Sequence, residues 1–306
     1  MWDFEPVLHE LARSVEPSLA RKAAASRSQH YLRELLRSGQ FEPRIHDIYL
    51  SGSYARNTAL HPIDDVDLVV VIEPEGWSRR LWDARPDPRK LLQSFAGAVR
   101  YRYHRSSVYV QRRSICLELE QLKIDVVPAI TCGPDDDAIE IPDTNSNEWI
   151  KSAPKRHTRI ATDINHVHGG LFKPFVKLVK NWNYGLPQTA RLKSFAIETL
   201  AATLFKHVEL PTLQEGLRLF FDFLAGMDEQ AVYYQWPDTF GVRMNWWAHE
   251  LPDLAGSGSN LLAQVDGTRR KKFLEHAVRS RDRLIQSERA RQWDAALGHL
   301  KSAVRV

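Results

Sequence analysis

The stretch SGSYARNTALHPIDDVDLVVVI, Ser51 to Ile72, decides the fold because it joins a small-residue turn to a strand that begins with carboxylates. Side chains alternate between the two faces of a strand, so Asp65 and Asp67 point to the same side while Val66 points into the core. Two carboxylates this close repel each other unless a cation lies between them, and Mg²⁺ suits such a site. The competing interpretation is an ordinary strand start with solvated acids. Asp64 faces the other way and is assigned to the turn.

A third carboxylate and an upstream turn favour the metal site over the solvated alternative. Asp125 lies inside the apolar segment KIDVVPA, and acidic residues are seldom buried without a partner. Gly52 and Ser53 follow the predicted strand RIHDIYL and begin a short helix, where glycine lets the backbone approach an anion. A strand, a Gly-Ser turn, a short helix and an Asp-x-Asp strand together predict phosphate chemistry.

Composition indicates a globular protein. The chain has 306 residues, of which 43% are hydrophobic and 26% are charged, with a net charge of +4. No apolar run approaches the ~20 residues of a membrane-spanning helix, and the N-terminus lacks secretory features, so we expect a cytoplasmic protein without membrane association. Cys116 and Cys132 are expected to be reduced thiols. The basic run Arg100 to Arg113 leaves nucleic-acid binding open but does not favour it.

The order of the predicted elements indicates an α+β fold with two domains. The first 40 or so residues are predicted to be helical, and strands then alternate with helices until the last predicted strand ends at Pro128. The second half has helical periodicity, including a long basic helix after "RRKK". We therefore assign residues 1–150 to an N-terminal helix and a catalytic core, and residues 151–306 to a helical domain that closes the active-site cleft.

These residues resemble the nucleotidyltransferase superfamily of DNA polymerase β type, whose signature is a Gly-Ser turn, an Asp-hydrophobic-Asp pair and a later Asp. The resemblance implies a core of mixed sheet with flanking helices. It implies that Asp65, Asp67 and Asp125 are the catalytic residues and bind two Mg²⁺ ions, or Mn²⁺ in their place. It further implies that Gly52 and Ser53 bind phosphate.

The segments FVKLVKNWNYG and LKSFAIETLA narrow the resemblance to the second domain of oligoadenylate synthases and bacterial cGAS/DncV-like enzymes. In those enzymes a lysine and a helix-initiating serine hold the donor triphosphate, and the matching positions are Lys180 and Ser194. Lys177 lies one turn before Lys180 on the same face and is assigned to the same role. Tyr184 is a candidate for stacking on a base.

The resemblance implies an enzyme that condenses NTPs into a cyclic di- or trinucleotide second messenger with release of pyrophosphate. A downstream effector would sense the product in antiphage signalling. Three alternatives stay open: a template-independent RNA nucleotidyltransferase of the CCA-adding or poly(A) type, a catalytically inactive scaffold, and an antibiotic or protein nucleotidylyltransferase. No motif specifies base choice, ring size, linkage or oligomeric state.

Overall fold

The computed structural model describes residues 2–37, 45–62, 65–72, 87–120, 122–132, 137–227 and 250–304. The chain forms two compact units, which we call the core unit (Pro17–Thr158) and the helical unit (Met1–Glu16 and Arg159–Val306). Asp64, which the sequence assigned to a turn, lies outside the described residues. No helix in the described ranges is long and apolar enough to cross a membrane.

The core unit is built on a mixed sheet in the order β1-β2-β5-β4-β3, with β6 paired to β5 and β7 paired to β6. Strands β2 and β5 are parallel, and the other paired strands are antiparallel. The strands are β1 Ile45–Ser51, β2 Asp65–Ile72, β3 Ser107–Val110, β4 Ile115–Glu118, β5 Lys123–Thr131, β6 Ile139–Asp143 and β7 Glu148–Ser152. The helices of this unit are α2 Leu19–Arg37, α3 Gly52–Ala55 and α4 Pro88–Arg102, and α5 (Pro154–Val167) begins in it. The predicted α+β class and mixed sheet are confirmed.

Strand β2 is buried on both faces, which fixes the position of the acidic residues at its start. Val66, Leu68, Val70 and Ile72 belong to one hydrophobic cluster, which also contains buried residues of α2 and α4. Val69 and Val71 belong to a smaller cluster on the opposite face. Asp65 and Asp67 share the face of Val69 and Val71, in agreement with the alternation predicted from the sequence.

The sequence prediction was wrong about where the strands after α4 end. Three strands, β3 to β5, occupy a stretch predicted to hold two, and β5 continues through Pro128 to Thr131. Proline is tolerated there because β4 pairs with β5 only as far as Val126, and pairing with β6 begins at Ile130. Pro128 therefore lies between the two antiparallel pairings, where proline is better tolerated, and it is the register partner of Val70 in the parallel pairing with β2.

The helical unit consists of helices packed around one large hydrophobic cluster. Its helices are α1 Glu5–Ser14, α6 Phe172–Tyr184, α7 Ser194–Phe205, α8 Leu213–Ala225, α9 Gly267–Arg289 and α10 Trp293–Val304, together with most of α5. Every residue of α6 from Phe175 to Lys180 is buried. A helix segment buried on all sides is typical of the centre of a domain, so Lys177 and Lys180 are not on a solvated surface.

The two chain termini differ from the sequence prediction. The N-terminal segment forms two helices, and the first packs in the helical unit, where Phe4 and Leu8 are fully buried. The long basic helix ends at Arg289, and α10 begins after a break at Ala290. The indole N–H of Trp2 donates to the Ala290 carbonyl at 2.8 Å. A tertiary contact thus satisfies a carbonyl at the end of the helix, a feature that local periodicity does not encode.

Candidate active site

The three predicted acidic residues meet at one end of the parallel pair β2–β5. Asp65 and Asp67 lie at the start of β2, and Asp125 of β5 is the register partner of Asp67. Neighbouring residues in register project to the same face of a sheet. One carboxylate oxygen from each of the three residues lies within 4.8 Å of the others. The structure therefore brings together residues that are up to 60 positions apart in the chain.

Gly52 provides the space for Asp67. Its φ of +68° belongs to the left-handed region, and a Cβ atom built on it would lie 1.8 Å from Oδ2 of Asp67. Any side chain would therefore collide with the carboxylate as well as strain the backbone. The sequence predicted that the backbone at Gly52 approaches a phosphate, and that contact stays a prediction. The group that lies against Gly52 in the structure is the carboxylate of Asp67.

The electrostatics of the cluster disfavour three ionised carboxylates. Burial, followed by the charges of Asp65 and Asp125, raises the pKa of Asp67 to about 7. Burial also raises the pKa of Asp125; a hydrogen bond from Cys116 opposes the shift, and the charge of Asp65 adds to it. The pKa values of both register partners thus lie above their ordinary range when no cation is near.

The cluster fits a divalent cation. Oδ1 of Asp125 is buried and has no hydrogen-bond partner among the described residues. Such an atom is expected to have a ligand, because a buried acceptor without one costs about 1–3 kcal/mol. Three carboxylates offer only oxygen donors, which is the preference of hard cations, and a cation would remove the mutual repulsion. The site could therefore hold a metal ion.

Two residues of this site were not assigned to it from the sequence. Arg56 is buried, and its charge partly offsets the raised pKa of Asp67. Cys116 is fully buried and is the register partner of Asp125 in β4, where its thiol is hydrogen-bonded to the carboxylate. Alternation within β4 could have shown that Cys116 is buried, but only the register between strands shows what it faces.

The predicted phosphate-binding lysines lie in the helical unit, and both are buried. Nζ of Lys177 lies 2.6 Å from Oε1 of Glu16, and the Lys177 side chain is 3% exposed. This ion pair joins α6 to the residues that follow α1, so Lys177 already has a partner within its own unit. Lys180, one turn later, is 4% exposed.

The remaining predicted residues are partly or fully accessible. Ser194 is exposed and is the first residue of α7, and Lys193 before it provides no side-chain cap. Tyr184 ends α6 with 66% of its surface exposed, and the Arg191 guanidinium lies 4.6 Å from the centre of its ring. In the core unit, Ser53 is half-buried, and its carbonyl accepts a hydrogen bond from the Thr58 N–H at 2.9 Å.

Comparison with known proteins identifies the family to which the chain belongs. Residues 4–165, just over half of the chain, match the model of the Second Messenger Oligonucleotide or Dinucleotide Synthetase domain. The chain belongs to this family. The three acidic residues and the Gly-Ser turn all lie within the matched segment.

The relatives agree with the family assignment. A cyclic AMP-AMP-AMP synthase of an Acinetobacter species is 30% identical over 210 residues, which is 65% of this chain and 58% of the relative. A structure of Escherichia coli CdnC in complex with HORMA-deltaN has a TM-score of 0.75 and 20% identity, covering 98% of this chain and 96% of that one. Bradyrhizobium diazoefficiens CdnG, solved with GTP, has a TM-score of 0.69 and 15% identity, covering 98% and 97%. These structural similarities confirm that the chain has the same fold as CdnC and CdnG.

The alignments with curated relatives are partial. This synthetase-family chain spans between 56% and 65% of the length of the four curated relatives that it matches. The substrates and partners of the whole protein are therefore treated below as proposals.

Proposed function

We propose that this protein is a Mg²⁺-dependent nucleotidyltransferase that condenses NTPs into a cyclic di- or trinucleotide and releases pyrophosphate. The observation that carries the proposal is the group of three carboxylates, with oxygens within 4.8 Å of one another, beside the Gly52 turn. The family of second-messenger synthetases and the cyclic nucleotide synthases among its relatives support the cyclic product.

In this proposal Asp65, Asp67 and Asp125 hold two Mg²⁺ ions, for which Mn²⁺ can substitute. The bound ions would neutralise the triphosphate and lower the pKa of the attacking 2′- or 3′-hydroxyl. The carboxylate of Asp125, whose Oδ1 has no hydrogen-bond partner in the part of the chain that the structure describes, is also proposed to accept the hydroxyl proton. The hydroxyl oxygen then forms a bond to the α-phosphorus of the donor, and the bond from that phosphorus to pyrophosphate breaks.

The nucleotide-binding residues are proposed from both units. Gly52 and Ser53 would contact phosphate in the core unit. Lys180 and Ser194 would contact the donor triphosphate, and Tyr184 has an exposed ring suited to stacking on a base. Lys177 was predicted to join them, but its ammonium is engaged by Glu16 at 2.6 Å. We therefore propose that Lys177 orders the helix that carries Lys180, and that it reaches a nucleotide only if this ion pair opens.

The proposed biological role is second-messenger signalling in antiphage defence, with a downstream effector that senses the product. The complex of Escherichia coli CdnC with HORMA-deltaN makes a HORMA-type protein a candidate regulatory partner. The proposed location is the cytoplasm, where NTPs are available.

The test is an incubation of the purified protein with Mg²⁺ and all four NTPs, followed by phosphatase treatment and mass spectrometry. A phosphatase-resistant product together with released pyrophosphate is the expected result. Asp67→Ala should abolish it. Asp47→Asn is the matched control, because Asp47 lies in the same sheet and its carboxylate pairs with Lys155 at 2.8 Å, away from the triad.

Persistent NTP turnover by Asp67→Ala would contradict the assigned site. Extension of added RNA without a cyclic product would instead support the template-independent RNA nucleotidyltransferase. A readout independent of turnover is thermal unfolding, because Mg²⁺ should raise the melting temperature of wild type and of Asp47→Asn but not that of Asp67→Ala.

A further inference from the structure

The connection between α6 and α7 is tied to the end of α6 by the side chain of Asn183. The side chain is almost fully buried, at 2% exposure of the residue. Its Nδ2 donates to the Leu192 carbonyl at 2.9 Å, and its Oδ1 accepts from the Leu192 N–H at 3.0 Å. Both backbone groups of Leu192 are thus held by one amide, two residues before Ser194.

Arg191 forms further hydrogen bonds within the connection between α6 and α7. The guanidinium of Arg191 donates to the carbonyls of Tyr184 and Leu186, the latter at 3.0 Å, and it covers one face of the Tyr184 ring. These bonds satisfy carbonyls at the C-terminal end of α6. The path from Tyr184 to Ser194 is therefore held at two adjacent residues, Arg191 and Leu192.

The start of α7 has no capping side chain, so the anchor in the preceding connection matters for its first residue. Lys193 is the N-cap residue, and its side chain accepts no hydrogen bond from the first turn of the helix. Helix ends without a capping side chain are less firmly held than capped ones. Ser194 is the first helical residue and is exposed, so its hydroxyl position depends on how firmly the preceding residue pair is held.

We propose that Asn183 is a positioning residue for nucleotide binding, which fixes Leu192 and thereby places the Ser194 hydroxyl for the donor triphosphate. The inference rests on the proposed function, since it names the residue that orders one of the proposed phosphate contacts. Asn183 contacts the backbone of Leu192 rather than the nucleotide. Its loss should weaken NTP binding more than it slows the chemical step.

The chain contains a matched control in the same unit. The side-chain amide of Gln214 also holds a backbone segment, since Oε1 accepts from the Phe4 N–H at 2.9 Å and Nε2 donates to the Trp2 carbonyl at 3.3 Å. Asn183→Ala and Gln214→Ala each remove two hydrogen bonds to backbone groups. Both variants should lower the melting temperature, but Gln214 holds the N-terminal segment rather than the residues before Ser194.

The experiment compares steady-state NTP turnover of wild type, Asn183→Ala, Gln214→Ala, Ser194→Ala and the Asn183→Ala/Ser194→Ala double variant. Asn183→Ala should raise KM about tenfold with kcat changed less than about threefold, and Gln214→Ala should leave both near wild type. In the Ser194→Ala background, Asn183→Ala should add little to KM, because the hydroxyl that it positions is gone. Asn183→Ser keeps one short polar group, which cannot hold both backbone groups of Leu192, so its KM should also be raised.

Equal KM values for Asn183→Ala and Gln214→Ala would overturn the inference, and so would full additivity in the double variant. If Asn183→Ala does not fold, the same comparison is made with Asn183→Ser, and a wild-type KM for that variant overturns the inference. These outcomes can be distinguished from failure of the proposed function by the behaviour of the wild-type protein. In that case wild-type protein neither consumes NTPs nor binds a non-hydrolysable ATP analogue, and both proposals fall.

Discussion

The repulsion within the carboxylate cluster has a measurable consequence for folding, which can be tested by replacing Asp67 with asparagine. The substitution keeps the shape of the side chain but removes a charge that burial, Asp65 and Asp125 all disfavour. We expect Asp67→Asn to be more stable than wild type at neutral pH when a chelator removes divalent cations. A change in the catalytic machinery would thus stabilise the fold.

The size and the sign follow from the pKa of Asp67. In the folded protein it is raised from an ordinary 3.8 to about 7, so between these values the folded state binds more protons than the unfolded state. The free energy of unfolding therefore falls as the pH rises from about 4 to about 7, and the contribution is lost in full above that range. A shift of roughly 3 pH units corresponds to at most about 4 kcal/mol.

The assay is urea unfolding in EDTA at pH 4.5, 6 and 8. The advantage of Asp67→Asn over wild type should be small at pH 4.5 and should grow to a few kcal/mol at pH 8, because the amide never ionises. The control Asp47→Asn should follow the pH profile of wild type. With Mg²⁺ in place of EDTA the order should reverse, since the cation binds the intact carboxylates.

Parallel pH profiles for wild type and Asp67→Asn would refute this reasoning. They would mean that Asp67 is ionised at the same pH in the folded and unfolded chains, and that the three carboxylates do not interact as their spacing of within 4.8 Å requires. A loss of stability in Asp67→Asn at every pH would contradict it as well.

Three further predictions concern other buried polar groups. Asp143→Asn should lower the free energy of unfolding, measured by urea titration, by about 2 kcal/mol near pH 7 and by less in acid. The reason is that burial opposes ionisation of Asp143, but hydrogen bonds from two arginines outweigh this effect and lower its pKa. Glu16→Gln should lower the melting temperature more than Lys177→Met, because only Glu16→Gln leaves a buried ammonium uncompensated. The reverse order of melting temperatures in calorimetry would contradict a stabilising role of this ion pair. Cys116→Val should weaken Mg²⁺ binding up to about tenfold in calorimetric titrations, and Cys116→Ser, which keeps a hydrogen-bond donor, should weaken it less. Equal Mg²⁺ affinities of the two variants would argue against a role of Cys116 in orienting the carboxylate of Asp125.

Much of the fold and of the candidate site could be predicted from local sequence. The alternation in Asp65–Ile72 predicts a strand with two carboxylates on one face, and the structure has this arrangement. The Gly-Ser turn and the helices α6 and α7 also lie where the sequence places them. These features are predictable because periods of 2 and 3.6 residues, and the freedom of glycine at positive φ, belong to a single segment of chain.

Contacts between distant segments could not be predicted, and they decide how the site works. Pairing of β5 with β2 and with β4 sets Asp67 beside Asp125 and Asp125 beside Cys116. Likewise, the assignment of residues 1–16 to the helical unit and the pairing of Lys177 with Glu16 follow from long-range packing. The sequence by itself determined which residues could bind metal and phosphate. The tertiary structure alone decided their partners, because strand register and the choice of packing surface depend on the free energy of the whole fold rather than on local periodicity.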